Sequence, residues 1–410
     1  MKHKKYICGL AVIVILIVIV QFADSYQSDL FTKLQSFFIT EYLVEGKGMS
    51  FNASAGLLNG IMLPCYIISA LAPLARALAD KFGKEKIIIC NFIILTAGLF
   101  TCIAADNVIV FAVGNAVVTF GTSLDIQYLY IAEDIPEKRR GLVRGVAAAV
   151  GAAASMFLPV CRNYFVGRRG NNWRILYQIG ILICLITIFM VMVGSFFSHR
   201  QSERPVKKQQ NNDIKLKELI TGNKKLLILL MIMGIATAGV TYYNEPLLTY
   251  NHCPEKFINM VLIIQPAVTF LLMLLIGAAS DRIGRRKTTL SCIILTVASL
   301  IIYVISIKHF PNAVLAGICW GIMISAYFSV INLSNLTLME SNSGKNTGKL
   351  SAAGTYFYGF GDAAGMVLAV VLVRVWDMGV TKILLTIIPC TAALIYAVVS
   401  HRNRHPSEAS

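Results

Sequence analysis

The chain has 410 residues, 56% of them hydrophobic and only 14% charged, with a formal net charge of +16 and a mean hydropathy of +0.68. A soluble domain carries roughly 25% charged residues, so water is not the main solvent here. Nucleic acid is no better a partner, because most of the 37 basic residues sit in short segments between long apolar blocks, as in the loops of a membrane protein.

Twelve such blocks lie near 6–30, 52–77, 87–105, 108–132, 142–165, 174–197, 225–245, 257–279, 288–307, 313–338, 350–376 and 379–400. Each approaches the ~20 apolar residues that one helix needs to cross a bilayer core. Period-two alternation is absent, which excludes a β-barrel and leaves helices to satisfy the backbone in lipid. The first block follows Lys2-His3-Lys4-Lys5 and lacks a small-x-small cleavage site, so it reads as an uncleaved span. If the N-terminus is cytoplasmic, the basic residues concentrate in the inward loops and tails, and both termini are expected inside. The ten cysteines are scattered through apolar segments without metal-type spacing, and the six histidines fall in loops or tails. No metal, cofactor or intramembrane histidine relay is expected.

In the first span, Gln21, Asp24, Ser25, Ser28, Thr32 and Gln35 fall on one helical face. Such a face either lines a cavity or meets a neighbouring helix with its hydrogen bonds satisfied. The cavity is favoured, because a charge at the bilayer centre costs at least roughly 2.5–3.5 kcal/mol. Asp29 and Lys33, four apart, are expected to pair. Leu34 to Val44 reads as an outward extension of this helix or as a short helix on the membrane surface.

After the second span comes Arg76-Ala-Leu-Ala-Asp80-Lys81-Phe82-Gly83-Lys84-Glu85-Lys86. The fourth span carries Asp125 and Gln127, and Tyr130-Ile-Ala-Glu133-Asp-Ile-Pro136-Glu-Lys-Arg-Arg140-Gly141 follows it. Around the fifth and sixth spans, Arg162, Arg168, Arg169 and Arg174 resist the positive-inside pattern. They read as a solvated loop, or alternatively as an outer gate or anion funnel. His199 to Lys225 holds charges, Pro205 and a Gln/Asn run, and reads as a linker. In the seventh span, Tyr242-Tyr243-Asn244-Glu245-Pro246 is expected to break the helix, with Glu245 facing a cavity or the outer water. The loop after the eighth span, Gly277-Ala-Ala-Ser-Asp281-Arg282-Ile283-Gly284-Arg285-Arg286-Lys287, repeats the earlier one at a constant offset of 201 residues (281 − 80, 284 − 83). Asn332 in the tenth span follows Asp125 by 207 residues and takes the equivalent depth. The eleventh span holds Gly359-Phe-Gly361-Asp362-Ala-Ala-Gly365, in which Asp362 is nearest to mid-membrane and the small residues admit a close helix. A poorly hydrated carboxyl of this kind suits a residue that exchanges a proton during transport. The third, sixth, ninth and twelfth spans read as free of charge in their interiors.

These loops are similar to the signature of the major facilitator superfamily, G-x-x-x-D-[RK]-x-G-[RK]-[RK]. Gly277 to Arg286 matches the whole pattern, whereas the first copy has Arg76 at the glycine position and Glu85 at a basic one. The segment after the fourth span, its echo at Leu338-Met-Glu340-Ser, and Trp173-Arg174 resemble the sugar and organic-ion porter branches. The resemblance implies an all-α membrane protein of twelve helices in two pseudo-symmetric six-helix bundles, 1–198 and 226–410, joined by a cytoplasmic linker 199–225. It implies that spans 1, 4, 7 and 10 surround a cavity; the candidates for the substrate or proton are Gln21, Asp24, Asp125, Gln127, Glu245 and Asn332 on those spans and Asp362 on the eleventh. It also implies that Asp80, Gly83 and Lys84, and Asp281, Gly284 and Arg285, latch the cytoplasmic side.

The function expected is proton-coupled movement of a small organic solute across the plasma membrane by alternating access, and not enzyme chemistry. The acidic excess in the spans favours a cationic or zwitterionic solute, with protons and the lipid bilayer as further partners and the chain acting as a monomer. The Gln-rich seventh-span motif of sugar porters is missing. The antiporter G-x8-G-x3-G-P pattern is also absent, since Gly145, Gly151 and Pro159 have other spacings. A drug or metabolite efflux antiporter, or a non-transporting sensor on the same scaffold, is the alternative.

Overall fold

The computed structural model describes residues 2–69, 72, 82–124, 127, 130–131, 135, 137–199, 216–309, 311–340 and 347–402. Asp80 and Asp125 lie outside these, as does the side chain of Asp281. All regular structure among the described residues is helical, the arrangement in which each span satisfies its own backbone. The first half contains α1 (Lys2–Lys33), α2 (Gln35–Ile39), α3 (Phe51–Ser69), α4 (Lys84–Ile103), α5 (Val108–Thr122), α6 (Glu137–Cys161) and α7 (Arg174–His199). The second contains α8 (Leu216–Thr241), α9 (Asn244–Tyr250), α10 (Glu255–Ile283), α11 (Arg285–Lys308), α12 (Ala313–Glu340), α13 (Thr347–Val375) and α14 (Met378–Arg402). Apart from the short α2 and α9, these are twelve helices among the described residues, the number expected. By length and composition alone, nine described stretches are able to cross a bilayer, and α5 is a shorter apolar helix. α8 begins at Leu216, inside the stretch expected to be linker.

The chain forms two compact units, one within Met1–Gly46 and Pro64–Lys208, the other within Lys47–Leu63 and Gln209–Ser410. The same packing scheme recurs in each. In the first unit α1 lies against α6 and α7, and α4 lies against α5 and α7. In the second, α8 lies against α13 and α14, and α11 lies against α12 and α14. The first half of α3 belongs to the second unit, where Asn52 Nδ2 donates to the Val373 carbonyl (2.9 Å).

Close approach is written into glycines in the second unit. A Cβ on Gly361 would collide with the Met231 carbonyl, and one on Gly365 with the Ile235 carbonyl. Only hydrogen at these positions lets α13 settle on the backbone of α8. Between apolar helices in lipid there is little hydrophobic drive, so such contact carries the association. In the first unit the segment after α1 is a helical extension whose Phe38, Ile39, Tyr42 and Leu43 are buried. The Phe38 ring packs on Phe111 (4.4 Å) and edge-on to Trp173 (4.8 Å), with geometry that aromatic quadrupoles favour. Exposed aliphatic and aromatic side chains such as Leu182 and Phe189 on α7, Ile294 on α11 and Ile388 on α14 are the surface that lipid covers.

Candidate functional site

In the first unit, α1 presents Gln21 and Asp24 to Gln127, and all three are buried. Gln127 Nε2 donates to Gln21 Oε1 (3.2 Å) and to Asp24 Oδ2 (3.4 Å), and Gln21 Nε2 donates to Ser25 Oγ (3.0 Å). Gly151 on α6 lies alongside, where an added Cβ would come within 2.8 Å of Ser25 Oγ. The polar face does not act as one surface. Its inner part forms this carboxylate–amide network, Ser28 is exposed, and Gln35 is buried in the extension. Gln27, on another face of α1, ties α1 to α7 by donating to the Gly180 carbonyl (2.9 Å).

Towards the other end of α1, Lys33 pairs with Asp29 (2.8 Å), as the spacing predicts. Lys33 Nζ also donates to the Ser155 carbonyl (2.5 Å). The expectation of a solvated arginine loop is corrected here. Arg162 is 1% exposed, donates to the Lys33 carbonyl (2.6 Å) and stacks over Phe37. Arg174 pairs with Glu41 (2.7 Å) and donates to the Ile103 and Ala105 carbonyls. Helix ends leave carbonyls without helical partners, and a guanidinium with five donors is suited to collect them. Trp173 Nε1 adds a bond to Glu41 Oε2 (2.6 Å). Arg168 and Arg169 are exposed, as expected of a loop.

In the second unit, the break predicted near Pro246 occurs at Tyr243, which adopts φ 62°, a conformation rare for a bulky residue. α8 ends before it and α9 begins after it, so late carbonyls of α8 lose their helical partners. Lys382, fully buried on α14, supplies them: its Nζ donates to the carbonyls of Gly239 and Tyr242 (2.9 Å for Tyr242). The twelfth span therefore holds a buried basic residue, and sequence reasoning missed it. Glu245 is also fully buried, which removes it from the outer water. On the α8 side of the break, the Tyr242 hydroxyl donates to Asp362 Oδ1 (3.2 Å). Asp362 sits near the centre of the apolar stretch Ala353–Val375. Nearby on α8, Thr237 reaches the hydroxyl of Tyr358 (3.0 Å), and Tyr327 donates to the Met233 carbonyl (2.7 Å). Asn332 on α12 is exposed.

The repeated loops end in two identical turns. Gly83 and Gly284 each precede a helix with φ 91° and ψ 143°, a region essentially restricted to glycine. Lys84 opens α4 with its ammonium over the Tyr130 ring (5.0 Å), and Arg285 opens α11. Among the described residues no cluster of three or more potential metal ligands is found.

The family model of the Major Facilitator Superfamily matches residues 17–252 and 226–410, essentially the whole chain. The chain belongs to the major facilitator superfamily. Membership of this superfamily makes it an integral membrane protein of a transporter family. Among curated relatives, a "Probable nitrate transporter NarT" of Staphylococcus haemolyticus is 23% identical over 163 residues, 40% of each chain. The counterpart from Staphylococcus aureus is 20% identical over 154 residues, 37% of this chain and 39% of its own. The chain thus matches about two fifths of the length of these relatives. Among solved structures, a crystal structure of a D-xylose-proton symporter aligns with a TM-score of 0.70 at 14% identity, covering 95% of this chain and 96% of that one. A partially occluded inward-open form of the xylose transporter XylE from E. coli gives 0.69 at 14% identity, covering 96% and 98%. These likenesses establish the superfamily fold.

Proposed function

We propose that the chain is a secondary active transporter that couples movement of a small organic solute, cationic or zwitterionic, to a proton gradient. The observation that carries this reading is Asp362, a carboxyl near mid-membrane held by the Tyr242 phenol beside the break in the seventh span. Intramembrane carboxyls are costly and mark ion or substrate paths, and broken helices are a usual setting for such sites. The network of Asp24, Gln21 and Gln127 supplies the matching polar group in the first unit, with Asp125, Glu245 and Asn332 as further candidates. The buried basic side chains are engaged, Lys33 by Asp29, Arg162 by the Lys33 carbonyl and Lys382 by backbone carbonyls, and the acidic excess in the spans supports a cationic or zwitterionic solute.

The bundles 1–198 and 226–410 rock about the site, with the 199–225 linker and both termini on the cytoplasmic face of the plasma membrane, and one copy suffices. Asp80, Gly83 and Lys84 form one latch, and Asp281, Gly284 and Arg285 the other. The test is accumulation of labelled cationic and zwitterionic compounds in proteoliposomes, with and without an imposed pH gradient. Uptake indifferent to the gradient would remove the proton from this reading. A second reading, an inorganic anion, draws on the relatives named as nitrate transporters and on the buried Arg162. Gradient-dependent nitrate uptake in the same vesicles, with none of the organic cations, would favour it.

A further inference from the structure

A cavity of about 410 Å³ opens in the second unit beside the start of α11. Three cationic side chains line it: Lys225 of α8, and Arg285 and Arg286 of α11. The rest of its wall is largely apolar, including Leu229, Leu290 and the ring of Tyr396, with Thr289, Ser334 and Thr337 among it. Arg285 and Arg286 open their helix, and Tyr396 lies close to the end of the apolar stretch Met378–Val398. The cavity therefore sits at one border of the membrane, the border that the loop charges assign to the cytoplasm. Within a turn of the lining residues Leu290, Tyr396 and Ala397, Ile294 of α11 and Ile395 and Val398 of α14 are each more than half exposed and face lipid.

We infer that this cavity is a binding site for an anionic phospholipid of the adjoining leaflet. The headgroup phosphate meets Lys225, Arg285 and Arg286, and an acyl chain lies against Leu229 and Leu290 before passing out along Ile294. Three features select this occupant. A phosphate takes charge-assisted hydrogen bonds from guanidinium and ammonium groups. Each Lys or Arg near an anionic membrane surface contributes about 1 kcal/mol of attraction, so three basic groups on one recess give a clear preference over zwitterionic lipid. An apolar wall beside a lipid-facing surface gains nothing from a hydrated soluble anion but accommodates an acyl chain. The tyrosine at the border has the amphipathic character that the headgroup level favours. The site shares Arg285 with the latch proposed above, and its test reads lipid binding without reference to the transported solute or to coupling.

The experiment uses full-length protein purified in a neutral detergent, with thermal unfolding measured as dioleoylphosphatidylglycerol is titrated. Dioleoylphosphatidylcholine and inorganic phosphate form parallel arms. The anionic lipid is expected to raise Tm while the other two leave it unchanged. The double variant Lys225→Gln/Arg286→Gln is expected to lose at least half of the shift. An equal shift with phosphatidylcholine, a shift with inorganic phosphate alone, or an undiminished shift in the folded double variant overturns the proposal. Where the variant does not fold, a photoactivatable phosphatidylglycerol on the unmodified chain decides. Peptide mapping should place its adducts around residues 225–229, 285–290 and 396–397, and adducts confined elsewhere overturn the site.

Discussion

Lys382 and Asp362 meet at the same break in the seventh span, one through its backbone and the other through a phenol. Replacing Lys382 by Met keeps the apolar stem but leaves two carbonyls without a donor, at about 1–3 kcal/mol for each unsatisfied group. Lys382→Met should therefore lower Tm in detergent, and Lys382→Arg should restore most of the loss. An unchanged Tm in the Met variant would show that the ammonium does not hold the break. Asp362→Asn should abolish gradient-driven accumulation yet retain substrate exchange, because the amide keeps a partner for Tyr242 but cannot carry a proton. Loss of exchange together with accumulation would move Asp362 from coupling to solute binding. Residues of this kind were unevenly legible. The Gln21–Asp24 face followed from helical periodicity, and the Asp29–Lys33 pair from a four-residue spacing. Lys382 and Arg162 were not, because their partners include carbonyls, which no letter encodes, and Arg174 was not, because its partner Glu41 lies far away along the chain. Gly239 and Tyr242 become acceptors for Lys382 only after the helix has broken, across 143 and 140 residues of chain.

At the scale of elements, the two glycine turns test whether the repeat is more than a likeness of letters. Both adopt φ 91° and ψ 143°, so an alanine at either position incurs strain of about 1–3 kcal/mol. Gly284→Ala should reduce Tm by more than an alanine at the exposed Arg286, and equal losses would mean the turn relaxes freely. Asp281→Asn should leave insertion intact and impair transport, since a contact made in only one conformation biases the equilibrium between conformations. Normal transport by Asp281→Asn combined with Asp80→Asn would reduce both loops to orienting charges. The turns were readable because their pattern recurs at a fixed offset. A second repeated device was overlooked. Asn107 caps α5 and Asn312 caps α12, each accepting from the backbone two and three residues on. Asparagine is among the strongest N-caps, so the residue type at the start of both apolar stretches was the available signal.

For the molecule as a whole, hydropathy and charge suffice for the number of helices, because lipid removes every alternative to a hydrogen-bonded span. Cysteine labelling from either side of right-side-out membrane vesicles should find residues 202 and 410 accessible only from the cytoplasmic side. Labelling of either from outside would overturn the assignment of every loop. Membership of the units was less legible, since residues 47–63 fall with the second one and no local pattern distinguishes them from the rest of the span. That placement has a consequence in time. Asn52 finds its acceptor on Val373, 321 residues later. At 5–20 residues per second of synthesis, that partner emerges roughly 16–64 s after Asn52 does. For that interval the early half of the second span has no native neighbour on that side, and the buried amide must be sheltered by the insertion machinery, by lipid headgroups or by water. Truncated nascent chains ending before residue 347 should therefore leave this segment open to modification from solution, and chains released after residue 402 should protect it.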